Sequence, residues 1–286
     1  MANGFILIDK KVGVTSRSVD NKIQRLFHTR KVGHLGTLDP FASGLLIIAV
    51  DSGCKSLPFI DDSFKTYQAK LKFGEKTSSG DLTGEILSRK EVPHLEEVDV
   101  IEALNSFVGI SEQTPPMTSA LHHDGQRLYD LSRRGIEVER KPRQIEIKSI
   151  KLLSFSDNYV EFEVNCSRGT YVRTLGEDIA SKLGTVGHLI ELRRISIGDI
   201  SVESAKDIDE IKESDLINPA HMLTLTKVIV EDEKTLKDIY NGKAITLETS
   251  EDRVLLCKKE NNELIALAVY NRKEGDLFSP IRGLWS

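Results

Sequence analysis

The sequence is poor in cysteine, and its few cysteines are scattered. The 286 residues include only three, Cys54, Cys166 and Cys257. They are odd in number, far apart and without the spacing of a metal site. This usage predicts a reduced, cytoplasmic protein without a structural disulfide or a zinc site.

The sequence also lacks long hydrophobic runs and nucleotide-binding motifs. No apolar stretch approaches the roughly 20 residues that a membrane-spanning helix needs. The first ten residues, MANGFILIDK, have no basic segment and too short an apolar run for a signal peptide. Neither a P-loop nor a G-x-G-x-x-G pattern is present. We therefore expect no membrane association, no metal and no cofactor.

The overall composition is that of a globular protein. Hydrophobic residues make up 39% and charged residues 29% of the chain, which is an ordinary balance for a globular protein. The length suffices for one large or two ordinary domains with a sizeable core.

Charge is segregated along the chain although the net charge is only −5. Such runs are usually solvated helix faces, but a polyanion-binding surface is the competing interpretation. The basic residues fall into three clusters: Lys22, Arg25, His28, Arg30 and Lys31; Arg127, Arg133, Arg134, Arg140, Lys141 and Arg143; and Arg168, Arg173, Arg193 and Arg194.

The hydrophobic periodicity predicts an α+β fold with a mixed, mainly antiparallel sheet flanked by helices. Ser16 is a candidate N-cap for the first helix, and a second helix is expected to begin near Thr170 and end at Gly184. Apolar runs and alternation predict strands over 5–9, 44–50, 66–73, 145–155, 159–164 and 191–197.

The composition changes towards the C-terminus. An acidic, weakly periodic segment over 199–219 is interpreted as a bridge. From about residue 228 onward, short β-like runs alternate with turn signals such as Asn241-Gly242. We predict two domains, 1–225 and a small β-rich domain over 226–286.

A glycine-rich segment carries the strongest candidate for chemistry, Asp39. Pro40 disfavours a helical conformation at Asp39, and the apolar run over 44–50 indicates a buried strand. The pattern predicts a stiff polar loop that is anchored to the core, whereas an ordinary Asp-Pro turn is the alternative. The segment reads Gly33-His34-Leu35-Gly36-Thr37-Leu38-Asp39-Pro40.

Four ordered segments together resemble the TruB family, bacterial synthases that form pseudouridine 55 in the T-loop of tRNA. The chain departs from the family pattern at Lys11, usually Pro, at Ser56-Leu57, usually Thr-Lys, and at His122, usually Lys. The segments are the Asp39 loop through Leu46, Lys65-Thr66-Tyr67 with Gly74, Thr77 and Asp81, the block 113–120 with Gly125 and Tyr129, and 166–175.

The resemblance implies a pseudouridine synthase-like fold, a PUA-like C-terminal domain and isomerisation of uridine without a cofactor. Asp39 is the candidate catalytic carboxylate, acting as nucleophile or ion-pair stabiliser. Attack at C6 of the base, attack at C1′ of the ribose and a glycal route all stay open.

Further roles follow from the same resemblance. Arg173 is expected to pair with Asp39, by a bidentate fork, and to keep it ionised. Tyr67 is expected to stack on the uracil and accept a proton, and the target base to be flipped out of the RNA. His34, Lys65, Tyr171 and Leu192 are the expected substrate-binding residues. The implied partner is tRNA, bound through the T-loop and the acceptor side, by a monomer without an obligate protein partner.

Two other functions compete with this one. A non-catalytic RNA-binding protein would use the basic surface and rely little on Asp39. A hydrolase would use Asp39 as a covalent nucleophile on a glycoside and would need a second carboxylate as general acid.

Overall fold

The computed structural model describes residues 3–119, 121–123 and 125–285. No helix in these ranges is long and apolar enough to cross a membrane. The helices are α1 Ser16–Leu26, α2 Glu97–Asn105, α3 Leu128–Arg133, α4 Val172–Lys182, α5 Pro219–Met222 and α6 Glu233–Tyr240. The strands are β1 Gly4–Lys10, β2 Val32–Leu35, β3 Ser43–Val50, β4 Phe64–Phe73, β5 Glu75–Thr77, β6 Ile86–Arg89, β7 Gly109–Gln113, β8 His122–His123, β9 Gln126–Arg127, β10 Arg143–Ser156, β11 Tyr159–Ser167, β12 Gly187–Ile197, β13 Ile200–Ser201, β14 Thr226–Ile229, β15 Ile245–Thr246, β16 Arg253–Glu260, β17 Glu263–Glu274 and β18 Leu277–Gly283.

One large sheet forms the main body of the molecule. Its strands follow the order β1-β3-β12-β4-β11-β10-β7, with β2 beside β3 and β13 beside β12. The pairing of β12 with β3 is parallel, and the other pairings of this sheet are antiparallel. The predicted mixed, mainly antiparallel sheet is therefore confirmed.

Helices α2 and α4 cover one face of this sheet. The faces of β4 and β11 that meet them are apolar because every second residue is hydrophobic, as Leu71, Phe73, Val160 and Phe162 illustrate. Helix α4 ends at Lys182, and Gly184 follows with φ +81°, close to the predicted end of this helix. This packing fixes α4 and its N-terminal residues against the sheet.

The N-cap of α1 is Thr15, so the prediction of Ser16 at this position was wrong. The Thr15 side chain accepts a hydrogen bond from the backbone N–H of Ser18. The buried Ser16 hydroxyl instead donates to the carbonyl of Leu38 at 3.0 Å and accepts from its N–H at 2.9 Å. Helix α1 is thereby tethered to the residue that precedes Asp39.

The C-terminal part forms a second sheet in the order β14-β16-β17-β18-β15. It has its own core, to which Val254, Leu267, Tyr270 and Phe278 contribute. A β-rich C-terminal unit was predicted, and the proposed boundary at 225/226 lies directly before β14. Apolar residues of β16 and β17 also pack with residues of β1 and β3, so the two sheets share a buried contact.

The acidic segment between the two sheets runs along the outer edge of β1. Backbone hydrogen bonds join Phe5 to Ile217 in both directions, and Lys206 bonds to Leu7 and Asp9. Lys11, which stands where the family pattern usually has Pro, forms an ion pair with Asp207 of this segment. The bridge is thus bonded to the sheet rather than free of it.

Candidate active site

The glycine-rich segment forms the turn between β2 and β3. Gly36 adopts φ +68°, a conformation that favours glycine. A Cβ at Gly36 would lie 3.3 Å from Nζ of Lys65 and 3.4 Å from Nη1 of Arg194. The glycine therefore lets the loop that carries Asp39 approach two buried cationic side chains.

A cavity of about 270 Å³ opens beside Asp39. Every predicted site residue except His34 lines it. The walls come from the Asp39 loop, β4, the 119 region, the start of α4 and β12, all brought together by the central strands. The lining residues are Gly36, Thr37, Leu38, Asp39, Lys65, Tyr67, Ser119, Ser167, Gly169, Thr170, Tyr171, Val172, Arg173, Leu192 and Arg194.

Asp39 and Arg173 form an ion pair across this cavity. Nε of Arg173 lies 2.9 Å from Oδ2 of Asp39. The arginine is 5% exposed and the aspartate is half-buried. The expected bidentate fork is not formed, because Nη1 donates to the carbonyl of Ser79 and to the Thr118 hydroxyl, both at 2.6 Å, while Nη2 donates to the Thr118 carbonyl at 2.7 Å. These bonds hold the guanidinium in one orientation towards Asp39.

The charge state of Asp39 is set by opposing influences. Burial raises the pKa of the Asp39 carboxyl, and the nearby Arg173 guanidinium opposes that rise. The Asp81 carboxylate raises this pKa further, whereas the ammonium group of Lys10 lowers it. Arg173 is the group that most favours the ionised form that a nucleophile or ion-pair stabiliser requires.

Asp81 is a member of the site to which the sequence assigned no role. Its Oδ2 lies 3.6 Å from Nη1 of Arg173, and both side chains are buried. Its Oδ1 accepts from the Ser79 hydroxyl at 2.7 Å, the Thr83 N–H at 2.9 Å and the Thr83 hydroxyl at 2.6 Å. Asp81 is outside the cavity lining, so the geometry supports it as a support for Arg173 and not as the general acid of a hydrolase.

Arg194 also belongs to the site, although the sequence placed it in a cluster of charges expected at the surface. It is 1% exposed, and it donates from Nε to the Leu45 carbonyl at 2.7 Å and from Nη2 to the Gly36 carbonyl at 2.9 Å. Burial raises the pKa of the Tyr67 hydroxyl, and Arg194 opposes that rise. The signal was available: alternation along β12 puts Arg194 on the same face as Leu192.

His34 lies beside the cavity rather than in its wall. Its Nδ1 is 2.9 Å from Oδ2 of Asp20, and its Nε2 is 3.1 Å from the hydroxyl of Thr37, which does line the cavity. The pairing with Asp20 fixes the imidazole ring next to the Asp39 loop. His34 therefore borders the cavity through its contact with Thr37.

The other predicted binding residues line the cavity from three directions. Nζ of Lys65 lies 3.2 Å from Oδ2 of Asp62, and burial lowers the pKa of this lysine. Leu192 contributes an apolar wall from β12. Gln113 fixes the backbone of Tyr171. The Gln113 side chain accepts a hydrogen bond from the Tyr171 N–H at 2.8 Å and donates one to the Tyr171 carbonyl at 3.2 Å.

The third basic cluster lies only partly at the surface: Arg168 is exposed and Arg193 is partly exposed, whereas the other two members are buried. Arg173 and Arg194 are buried, and Arg193 makes two bonds to the carboxylate of Asp9 at 2.9 and 2.7 Å. In the other two clusters Arg25, Arg30, Lys31, Arg134, Lys141 and Arg143 are exposed. The side chains of Arg127, Arg133 and His122, and the whole of Ala120 in the central block, lie outside the described residues.

Solved structures share this fold. A chain in the crystal structure of a Cbf5–Nop10–Gar1 complex superposes with a TM-score of 0.72 at 20% identity, covering 99% of this chain and 85% of that one. A chain in a structure of an H/ACA RNP bound to a substrate RNA gives a TM-score of 0.70 at 19% identity, covering 100% and 86%. These likenesses confirm the predicted fold class.

Sequence comparison is more specific. Residues 24–172 match the family described as "TruB family pseudouridylate synthase (N terminal domain)", and residues 173–237 match "tRNA pseudouridylate synthase B C-terminal domain". The tRNA pseudouridine synthase B of Bordetella avium is 45% identical over 212 residues, which cover 73% of this chain and 87% of that protein. Its counterpart in Geobacter sulfurreducens is 42% identical over 238 residues, 78% of each chain. The chain belongs to the TruB family of pseudouridylate synthases.

Proposed function

We propose that this protein converts uridine to pseudouridine at position 55, in the T-loop of tRNA, with Asp39 as the essential carboxylate. The observation that carries the proposal is the 2.9 Å pair of Asp39 with Arg173 in a cavity that Tyr67 and Leu192 also line. Relatives named tRNA pseudouridine synthase B support tRNA as the substrate.

The reaction is an isomerisation that balances within the nucleotide. The bond from ribose C1′ to N1 of the base breaks, and a bond from C1′ to C5 forms. The proton on C5 is lost and N1 gains one, so no electrons are exchanged with another molecule. Asp39 assists as a covalent nucleophile at C6 or C1′, or by stabilising charge on a glycal route.

Arg173 keeps Asp39 available for this chemistry. Burial raises the pKa of Asp39, and the Arg173 guanidinium at contact distance opposes that rise and so favours the ionised carboxylate. The guanidinium cannot lose its own charge in this range. Its bonds to Ser79 and Thr118 hold it in place while the base turns.

The remaining residues receive and hold the base. A uridine stacked within a folded loop must leave its stack to reach Asp39, at a cost of a few kcal/mol. Tyr67 stacks on the extruded uracil, and its side chain accepts a proton as the phenolate, the form that Arg194 favours and burial disfavours. Tyr171 and Leu192 form the walls, Lys65 contacts the substrate, and His34 meets the bases that the uridine leaves behind.

The exposed basic residues give the tRNA its contact surface. Arg25, Arg30, Lys31, Lys141 and Arg143 are free of the buried site and are suited to phosphate contacts. The C-terminal sheet, as a PUA-like unit, binds the acceptor side. The protein works as a cytoplasmic monomer.

The test compares the wild-type chain with Asp39→Asn on a tRNA transcript. We expect Asp39→Asn to bind the transcript and to form no pseudouridine, measured by carbodiimide labelling of the RNA. Asp207→Asn is the matched control and should stay active, because its carboxylate pairs with Lys11 and neither residue lines the cavity. RNA affinity should fall as salt rises, because phosphate contacts release counterions.

The same samples separate the competing functions. A protein that only binds RNA would leave uridine unchanged in both forms. A hydrolase would release free uracil. Pseudouridine formed by Asp39→Asn at the wild-type rate would contradict the proposed role of the carboxylate.

A further inference from the structure

Ser119 places a hydroxyl without a partner at the wall of the catalytic cavity. The residue is 5% exposed and lines the cavity, yet within the described part of the chain its Oγ atom makes no hydrogen bond. Buried polar atoms in folded proteins nearly always have a partner, so this hydroxyl needs one that the described protein residues do not supply, and its position at the cavity makes a bound substrate a candidate.

The other hydroxyls of serine and threonine in the cavity wall are already used. Thr37 contacts Nε2 of His34 at 3.1 Å. Ser167 accepts from the N–H of Glu146 at 2.9 Å and lies 3.5 Å from the Thr170 hydroxyl. Among the described residues of the wall, Ser119 is the serine or threonine left to serve a bound molecule.

Two further buried serines provide a comparison. The hydroxyls of Ser52 and Ser56 also lack partners among the described residues, but neither serine lines the catalytic cavity. Ser119 differs from them by its position and not by its burial.

The position of Ser119 is fixed relative to Asp39. The preceding residue, Thr118, binds Arg173 through both its hydroxyl and its carbonyl oxygen, and Arg173 in turn contacts Asp39. The same guanidinium therefore locates the catalytic carboxylate and the chain at Ser119. A base that reaches Asp39 enters the cavity that Ser119 lines, and a turn about the Ser119 side-chain bond brings the buried hydroxyl to that base.

We propose that the Ser119 hydroxyl donates a hydrogen bond to a carbonyl oxygen of the target uracil, both before and after the base turns. This inference rests on the proposed function. To bring C5 to the ribose, the base turns about the axis through N3 and C6. That turn exchanges N1 with C5 and also exchanges the O2 and O4 carbonyls. A donor fixed in the protein thus meets an acceptor in each orientation.

The experiment measures pseudouridine formation by Ser119→Ala, with Ser52→Ala and Ser56→Ala as matched controls. The substrates are T-loop RNAs that carry uridine, 2-thiouridine or 4-thiouridine at the target position, because sulfur is a weak acceptor. On uridine we expect Ser119→Ala to lose roughly tenfold in kcat/KM, the effect of one hydrogen bond, while the controls keep the wild-type value.

The thio-substituted RNAs test the contact itself. Sulfur should slow the wild-type chain more than it slows Ser119→Ala, because the variant no longer has a bond to weaken. All three variants should keep the wild-type Tm, since each loses a hydroxyl without a partner.

Three results would overturn the inference. The first is equal kcat/KM for Ser119→Ala and the two controls. The second is an equal effect of sulfur on the wild-type chain and on Ser119→Ala. The third is a lower Tm for Ser119→Ala alone, which would show a structural bond in the free protein. Absence of pseudouridine with the wild-type chain would overturn the proposed function itself, and this inference with it.

Discussion

The backbones of Gly44 and Arg194 lie so close that a Cβ atom on Gly44 would stand 2.2 Å from the carbonyl oxygen of Arg194. The two residues are register partners where β3 and β12 run parallel. Gly44 also has φ +100°, which favours glycine. The contact joins the strand that follows the Asp39 loop to the strand that carries Leu192 and Arg194.

Gly44→Ala should therefore destabilise the protein strongly. We expect a loss of at least about 2 kcal/mol in the free energy of unfolding, because backbone rather than a flexible side chain is in the way. Gly13→Ala is the matched control: Gly13 has φ +83° but no atom within 4 Å of its would-be Cβ. Urea denaturation of both variants separates the effect of the close contact with Arg194 from the effect of the positive φ angle. Equal losses of unfolding free energy in the two variants would contradict a role for the close contact.

Asp39→Asn should be at least as stable as the wild-type chain at pH 7. A carboxyl whose pKa is raised in the folded state lowers the unfolding free energy as pH rises above its unfolded pKa, near 3.8. Asparagine does not ionise and escapes this loss. We expect the difference in Tm between the two proteins to shrink as pH falls towards 4. A lower Tm for Asp39→Asn at pH 7 would instead mean that the ion pair outweighs burial.

The pH dependence of activity should respond in opposite directions to changes at Arg173 and Asp81. Arg173→Gln removes the cation that lowers the pKa of Asp39, so the acid limb of kcat/KM should move to higher pH. Asp81→Asn removes an anion that raises this pKa, so the limb should move to lower pH. Rate profiles between pH 4 and 8 provide the measurement, and shifts in the same direction would rule out this electrostatic assignment.

Lys10 should leave a signature in stability at alkaline pH. Its buried ammonium group donates to the carbonyls of Lys11 at 2.9 Å and Val14 at 2.7 Å, and burial lowers its pKa to about 8. Between pH 8 and 10 the unfolded chain holds a proton that the folded chain has released. The unfolding free energy should thus rise with pH in this window.

Lys10→Met removes that titration. The stability of the wild-type chain relative to Lys10→Met should therefore increase from pH 8 to pH 10, as measured by urea denaturation at each pH. A constant difference across this window would mean that the lysine keeps an ordinary pKa.

Much of the candidate site could be predicted because its residues lie in compact sequence motifs. The Asp39 loop and the segment around Arg173 are such motifs, and the structure brings them together at 2.9 Å. The supports of Arg173 were not predictable in the same way. Thr118 and Asp81 contact it through two distant loops, and hydrophobic periodicity carries no information on how loops meet.

Local signals were also ambiguous at single residues. Thr15 and Ser16 are both residue types that favour the N-cap position. Ser16 does not cap the helix because its hydroxyl bonds to the backbone carbonyl and N–H of Leu38, a long-range contact that the local sequence does not reveal. Likewise, the residue types of the adjacent Arg193 and Arg194 do not indicate which of the two is buried. Strand alternation sends one to Asp9 at the surface and the other into the core.

The bonding of the acidic bridge to β1 has a consequence for how the molecule avoids self-association. An outermost strand with free N–H and carbonyl groups is a template for pairing with another molecule. Here residues 206 and 217 occupy those groups on β1. A chain shortened to end at Ile197 would uncover that edge together with the apolar side chains of Phe5 and Leu7, and we expect it to aggregate.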